Sequence, residues 1–297
     1  LKFNKSNLRF GFYRPFVKKY VYFDRIIVHR PYQQNEFFPI GSDIENPTLL
    51  TSTGGRIDYA IFSTNLLPNL AAYSLDAAQC LPLYSFNKDG IQQDNITDWG
   101  LAQFTKQYGK KVITKEAIFH YVYAVLHNPA YRKKYGLNLK REFPRIPFYE
   151  NFQQWAAWGK ALMDLHINYE TVEPFPLKRA ETIYEESTDP LVWERIAKAK
   201  LKANKVDDSI EIDGYTMLSG IPKEAWEYKL GNRSALEWIL DQYKESKPKD
   251  PTIAEKFNTY KFADYKEKVI DLLKRVCTVS VETVKIVEEM NKVQELN

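Results

Sequence analysis

Two groups of basic side chains carry the chemistry most plainly written in this sequence. Arg14, Lys18, Lys19, Arg25 and Arg30 stand near the front, and Arg132, Lys133 and Lys134 follow an Asn-Pro step. Both groups are interleaved with aromatics, Tyr13, Tyr20 and Tyr22 in the first and Tyr131 in the second. Lys and Arg neutralise phosphates and fix a protein's register on a polyanion, while Arg, Asn, Gln and aromatic rings read base edges in the major groove. The charge distribution points the same way. Residues 1–150 carry 20 Lys+Arg against 12 Asp+Glu and the remainder 22 against 26, so the overall +4 conceals a basic front half. Residues 1–30 alone hold eight basic side chains against Asp24. A cationic face on a nearly neutral protein suggests nucleic acid as partner, the blander alternative being a solvated face.

Catalytic patterns are missing. Gly109-Lys110 and Gly159-Lys160 lack the upstream glycine and the following hydroxyl of a phosphate loop, and no G-x-G-x-x-G follows a strand. His29, His120, His127 and His166 have no metal-ligand spacing, which leaves them surface or packed residues. No serine sits in a nucleophile elbow, and neither Cys80 nor Cys277 has a catalytic setting. Asn128-Pro129-Ala130-Tyr131 looks like the Asn-Pro-Pro-Tyr box with which amino-group DNA methyltransferases grip a flipped adenine. Its second proline is Ala130, however, it ends a helix where the box follows a strand, and no glycine-rich cofactor loop precedes it. No catalytic, cofactor-binding or metal-binding residue is therefore assigned.

Composition bounds the class. The chain has 297 residues, 44% hydrophobic and 27% charged, enough for a real core in one or two domains. With 12 Gly and 15 Pro it is neither disordered nor fibrous, and its apolar stretches fall short of the roughly 20 residues of a membrane span. Two cysteines make no disulfide framework and no signal peptide is visible, so a cytoplasmic location is expected. Because the first residue is Leu1, further machinery is expected upstream. The 20 Tyr, 17 Phe and 6 Trp could form stacking platforms, but most stand at helical spacing beside aliphatics and read as core.

The elements that must position these residues fall into two styles. Residues 8–30 are rich in aromatic and β-branched types around Pro15 and predict short strands about a turn. The pieces TLLTSTG, DYAIFST and LPLYSF between Pro47 and Phe86 continue the sheet-like style, and residues 87–98 read as an exposed loop. Beyond Thr114, a plausible N-cap, Ile118, Phe119, Val122, Val125 and Leu126 recur at helical spacing up to Asn128. A second helix is predicted over about 152–165 with Trp155 and Trp158, and Asp189-Pro190 opens another. Asp213-Gly214 marks a hairpin within residues 209–221, Pro222 starts a helical piece that Gly231 breaks, and Ser234 with Glu237 forms a capping box. From Thr252 to Asn297, without Gly or Pro, a long buried C-terminal helix is predicted. The fold class is thus α+β, with a β-rich lobe over residues 1–115 and a mainly helical lobe over residues 116–297.

Four stretches taken in order make a more specific pattern: FYRPFVKKYVYFD (12–24), IFHYVYAVLHNPAYRKKYGLNLKREFPRIPF (118–148), GKALMDLHINYE (159–170) and IDGYTMLSGIPKEAWEYKLGNRSALEWILDQY (212–243). The pattern resembles the C-terminal specificity region of bacterial type ISP restriction-modification enzymes, often labelled predicted helicases. The resemblance implies a target recognition domain for double-stranded DNA, preceded on one polypeptide by nuclease, ATPase and adenine-N6 methyltransferase modules. S-adenosylmethionine, ATP and Mg would then serve those upstream modules and no cofactor this chain. It also implies that AVLHNPAYRKKY is a helix-ending motif of the recognition region and not a methyltransferase active site. Relatives commonly carry Asp and then a basic pair after the Arg-Pro-Phe step; here Val17 replaces the Asp while Lys18 and Lys19 remain. The second reading, from another class, is a protein-interaction or scaffold domain that docks the methyltransferase and ATPase modules.

Overall fold

Alternating aromatic and β-branched residues on either side of Pro15 form an antiparallel hairpin in the computed structural model, which describes residues 2–28, 31–109, 113–182, 190–246, 248–256 and 259–292. Strand β1 (Leu8–Arg14) pairs with β2 (Val17–Tyr22), placing Phe10 opposite Tyr20 and Gly11 opposite Lys19, with a bulge between Phe12 and Arg14. Pro15 fixes φ at the first turn position and Phe16 takes the left-handed conformation at φ 61°. A bulky side chain stays there only where packing holds it. Phe16 is 1% exposed and meets Phe62 edge-on, ring centroids 5.0 Å apart.

The chain divides into two units, the first comprising Leu1–Asn168, Leu230–Asn232 and Thr283–Asn297, the second Tyr169–Lys229 and Arg233–Glu282. In the first unit, a one-turn helix α1 (Gln34–Phe37) precedes β3 (Thr48–Thr51), β4 (Ile61–Thr64), β5 (Leu67–Pro68) and β6 (Gln79–Pro82). Strands β4, β3 and β6 form an antiparallel sheet, while β5 lies parallel to β1 through Gly11 and Leu67. The expected loop over 87–98 holds the turn and second strand of another hairpin, β8 (Gln92–Asp94) pairing back on β7 (Tyr84–Phe86). Its turn is built locally. Asn87 Oδ1 accepts the N–H groups of Asp89 and Ile91, each at 2.9 Å, and Gly90 supplies a φ of 76°.

Helices begin earlier than periodicity indicated, at α2 (Asp98–Tyr108), which Thr97 caps. The change from strands to helices thus falls inside the first unit. Helix α3 (Lys115–His127) starts at the expected Thr114 cap, and α5 (Phe152–Ile167) carries both tryptophans. Between them lies α4 (Pro129–Leu139), a helix that follows directly on the expected helix end at Asn128. Its apolar residues follow no stripe, so periodicity had nothing to detect. Helices α3 and α5 approach closely because residue 159 is glycine: a Cβ there would lie 1.7 Å from the His120 carbonyl oxygen. Tyr121, Tyr123, Ala124, Trp155 and Leu162 are fully buried in this core.

The second unit holds a four-stranded antiparallel sheet ordered β10-β11-β12-β9, from β9 (Lys178–Glu181), β10 (Lys202–Asn204), β11 (Ser209–Glu211) and β12 (Thr216–Ser219). The predicted hairpin forms its centre. Helix α6 (Pro190–Ala197) begins at the proline foreseen, although its expected cap Asp189 lies outside the described residues. Helices α7 (Lys223–Glu227) and α8 (Ala235–Gln242) follow, the latter with both bonds of the Ser234–Glu237 capping box. The C-terminal stretch is not one helix. It comprises α9 (Pro251–Lys256), a 3-10 turn at Phe262–Tyr265 and the long α10 (Lys266–Met290). The break is held by tertiary bonds: the Phe262 N–H donates to Glu245 Oε1 at 2.9 Å and the Tyr260 hydroxyl to the Tyr243 carbonyl at 2.9 Å. Among the described residues, no helix is long and apolar enough to cross a membrane.

Candidate nucleic-acid interface

The bulged end of the hairpin gathers two of the expected cations on one ring. Lys19 Nζ lies 4.1 Å from the centroid of Tyr13, and Arg14 Cζ lies 4.5 Å from it. The Arg14 guanidinium also donates to the Tyr13 carbonyl at 2.9 Å. Cation–π contact of this kind holds a long side chain in place without neutralising it, so both charges remain available to an anion. Lys18, opposite Phe12, is partly exposed, and Arg25 is exposed beyond the end of β2. Arg30 lies outside the described residues. Phe10 and Tyr20 are 41% and 73% exposed and pair across the hairpin with centroids 5.0 Å apart, while Phe3 stacks on Tyr22 at 5.4 Å. The hairpin thus offers cations held on Tyr13 and, on the other face, exposed paired aromatics with Lys18, both suited to nucleic acid.

The second group is divided by its helix. Asn128 ends α3 and caps α4: its Oδ1 accepts the Tyr131 N–H at 2.9 Å, and Pro129 takes the first helical position. The side chain of the methyltransferase-like tetrapeptide is therefore spent on capping, 1% exposed. Tyr131 is buried too, its hydroxyl donating to the Arg145 carbonyl at 2.9 Å, which removes it from the surface that sequence reading assigned it to. Arg132 turns inward, its Nε donating to the Leu126 carbonyl at 2.6 Å and its guanidinium lying 5.6 Å from the Tyr59 ring centroid. Lys133 and Lys134 point outward, the latter over Tyr135 at 5.1 Å. Lys140 and Arg141, just past α4, are exposed as well and extend the basic surface. They were missed, although a window over 131–145 shows six basic residues against Glu142 alone.

The buried titratable groups face one another and not the surface. Tyr123 Oη lies 2.5 Å from His166 Nδ1, His166 Nε2 lies 3.0 Å from Thr283 Oγ1, and His127 Nδ1–H donates to the Tyr123 carbonyl at 2.8 Å. Burial pushes His166 down to about 3 and His127 well below its ordinary value, and the nearby Arg132 charge adds to both. Burial likewise pushes the Cys80 and Cys277 thiols up to about 12, which keeps them protonated. Among the described residues, no cluster of His, Cys, Asp and Glu is placed to hold a metal ion.

The fold and this surface define a class. The sequence profile of the Type ISP C-terminal specificity domain matches residues 1–272, and the chain belongs to that family. Among solved structures, it is similar to one described as a DrdV–DNA complex determined by cryoEM, at 48% identity and TM-score 0.92, over 97% of this chain and 29% of that one. It is also similar to a nuclease-deletion mutant of the Type ISP restriction-modification enzyme LlaGI in complex with a DNA substrate mimic. There the identity is 28% and the TM-score 0.77, over 100% of this chain and 26% of that one. The ATP-dependent Type ISP enzyme LlaBIII bound to DNA shares the fold, at 24% identity and TM-score 0.78, over 100% and 19%. This chain spans less than a third of each of these polypeptides. No curated protein matches it.

Proposed function

We propose that this chain binds double-stranded DNA sequence-specifically as the target recognition part of a restriction-modification enzyme acting in the cytoplasm. Adenine-N6 methyl transfer with S-adenosylmethionine, and ATP- and Mg-dependent work, belong in this reading to other modules of the same polypeptide. The observation that carries it is the β1–β2 hairpin, where Tyr13 holds Arg14 and Lys19 and the exposed rings of Phe10 and Tyr20 pair on the opposite face with Lys18. Those cations would neutralise phosphates while neighbouring polar groups read the bases. The DNA complex of the 48%-identical neighbour, which covers 97% of this chain, supports the same reading.

Replacing Lys18 and Lys19 with alanine tests it. The double variant should weaken binding to specific and random duplexes alike and reduce the slope of log affinity against log salt by roughly two units. Unchanged affinity and slope would overturn the assignment of this surface.

A further inference from the structure

A groove of about 360 Å³ opens on the face of the β1–β2 hairpin that carries Gly11, Tyr13, Lys19 and Val21, and reaches Gln34 of α1 and Leu67–Asn69. Gly11 contributes backbone only. A Cβ there would stand 3.0 Å from the Leu67 carbonyl oxygen and 3.2 Å from Val21 Cγ1, so the pairing with β5 and the open floor depend on the same glycine. Gln34 and Asn69 line the groove, and each has one amide atom left over once internal bonds are counted. Gln34 Nε2 donates to the Pro68 carbonyl at 2.9 Å, leaving Oε1 as an acceptor. Asn69 Oδ1 accepts the Ala71 N–H at 2.9 Å, leaving Nδ2 as a donor. Neither leftover atom has a partner among the described residues.

We propose that this groove holds a single base turned out of the duplex, one presenting an amino group beside a ring-nitrogen acceptor, as adenine and cytosine do. The inference rests on the reading of this chain as a DNA-binding domain. Gln34 Oε1 accepts from the amino group and Asn69 Nδ2 donates to the ring nitrogen, the acceptor–donor pairing by which amide side chains select such an edge. On their Watson–Crick edges guanine and thymine present a carbonyl oxygen beside a ring N–H donor, so one of the two contacts sets acceptor against acceptor or donor against donor. Val21, Leu67 and Pro68 supply apolar surface, and Lys19, held over Tyr13, stands where the backbone phosphate must pass. A concave site does not reach a base edge inside an intact duplex, so the base must leave the stack. The volume lies near the lower end of the roughly 300–1,000 Å³ range of small-molecule sites, which suits one nucleoside.

The probes are fluorescently labelled hairpin duplexes with one unpaired A, C, G or T, and an unbulged control, titrated with the full chain and followed by anisotropy. The A and C bulges should bind about tenfold more tightly than the G and T bulges. Gln34→Leu combined with Asn69→Leu should erase that preference and leave the unbulged duplex affinity unchanged, while losing the two internal bonds to Pro68 and Ala71. Asn69→Asp keeps an oxygen for the Ala71 N–H, turns the donor into an acceptor and adds a negative charge that weakens all probes alike, so the readout is the ratio between bulges, which it should collapse even if the double variant folds poorly. Equal affinity for all four bulges, or a preference that survives both variants, overturns the proposal while leaving duplex binding intact. Absence of salt-dependent binding to the unbulged control would instead overturn the DNA-binding reading itself.

Discussion

Arg132 Nε donates to the carbonyl oxygen of Leu126 at 2.6 Å, across the junction at which Asn128 ends one helix and starts the next. Leu126 lies in the last turn of α3, where backbone carbonyls lack helical partners, and a guanidinium satisfies one of them. The three consecutive cations 132–134 should therefore separate on mutation. Arg132→Ala should lower stability by about 1.5–3 kcal/mol, the range for hydrogen bonds to charged groups, seen as a lower urea midpoint. Lys133→Ala and Lys134→Ala should leave that midpoint alone and each reduce the DNA salt slope by roughly one unit. Loss of salt slope in Arg132→Ala without loss of stability would reverse the assignment.

Gly159 and Gly136 are both helical glycines, yet their alanine variants should move stability in opposite directions. At Gly159 the added methyl would overlap the backbone of His120, which no rotamer change relieves, so α3 and α5 must separate. Gly159→Ala should cost more than about 3 kcal/mol or prevent folding. At Gly136 in α4 nothing lies within 4 Å of the new Cβ, and alanine should be neutral or stabilise by up to about 1 kcal/mol through helix propensity. Thermal melts of the two variants side by side check the contrast.

The sequence was most legible where a local signal was also the physical cause. Thr114 and Ser234 cap the helices they were expected to cap, because their side chains need only the next turn. The Asp213-Gly214 hairpin was found for a different reason than the one that builds it. Gly214 has no positive φ; it is needed because a Cβ would come within 2.6 Å of the Ile196 carbonyl oxygen. Helix α4 carried no periodic signal, and the break in the expected C-terminal helix is held by contacts such as that from Phe262 to Glu245, 17 residues upstream. Of the site, the cations on β1 and β2 were readable from charge and aromatic interleaving. The inward turn of Arg132 was not, since its partner is a backbone carbonyl, and nothing local marks Gln34 or Asn69.

The buried histidines predict how stability varies with acid. Both His127 and His166 are held neutral in the folded chain, with protonation depressed to about 3 at His166 and well below the ordinary value at His127. Unfolding lets each return to about 6.5, so below that pH the unfolded chain binds protons that the folded chain does not. Their contribution is present in full above pH 6.5 and is lost progressively as the pH falls toward 3. The slope should approach about 1.4 kcal/mol per pH unit for each histidine. His166→Gln should flatten that slope between pH 6 and about 4 in urea titrations, whatever it does to stability at pH 7. An unchanged slope would show that His166 is protonated in the folded state.

Asp213 concentrates three bonds on one buried carboxylate. Its side chain is 2% exposed; Oδ1 accepts the N–H groups of Tyr215 and Thr216 at 2.9 and 2.8 Å, and Oδ2 pairs with Lys266 Nζ at 2.8 Å. One carboxylate thus shapes the β11–β12 turn and ties it to the first residue of α10. Removing one partner of a buried pair costs about 3–5 kcal/mol because the other charge stays behind, and the partly wetted Lys266 puts Asp213→Ala at the low end. Asp213→Asn keeps an oxygen for the turn and loses only the ion pair, so it should cost about half as much. Combining Asp213→Ala with Lys266→Met should recover part of the loss, since no unpaired charge is then left against the hairpin. Equal urea midpoints for Asp213→Ala and Asp213→Asn would show that the turn bonds contribute nothing and that the ion pair alone holds this corner.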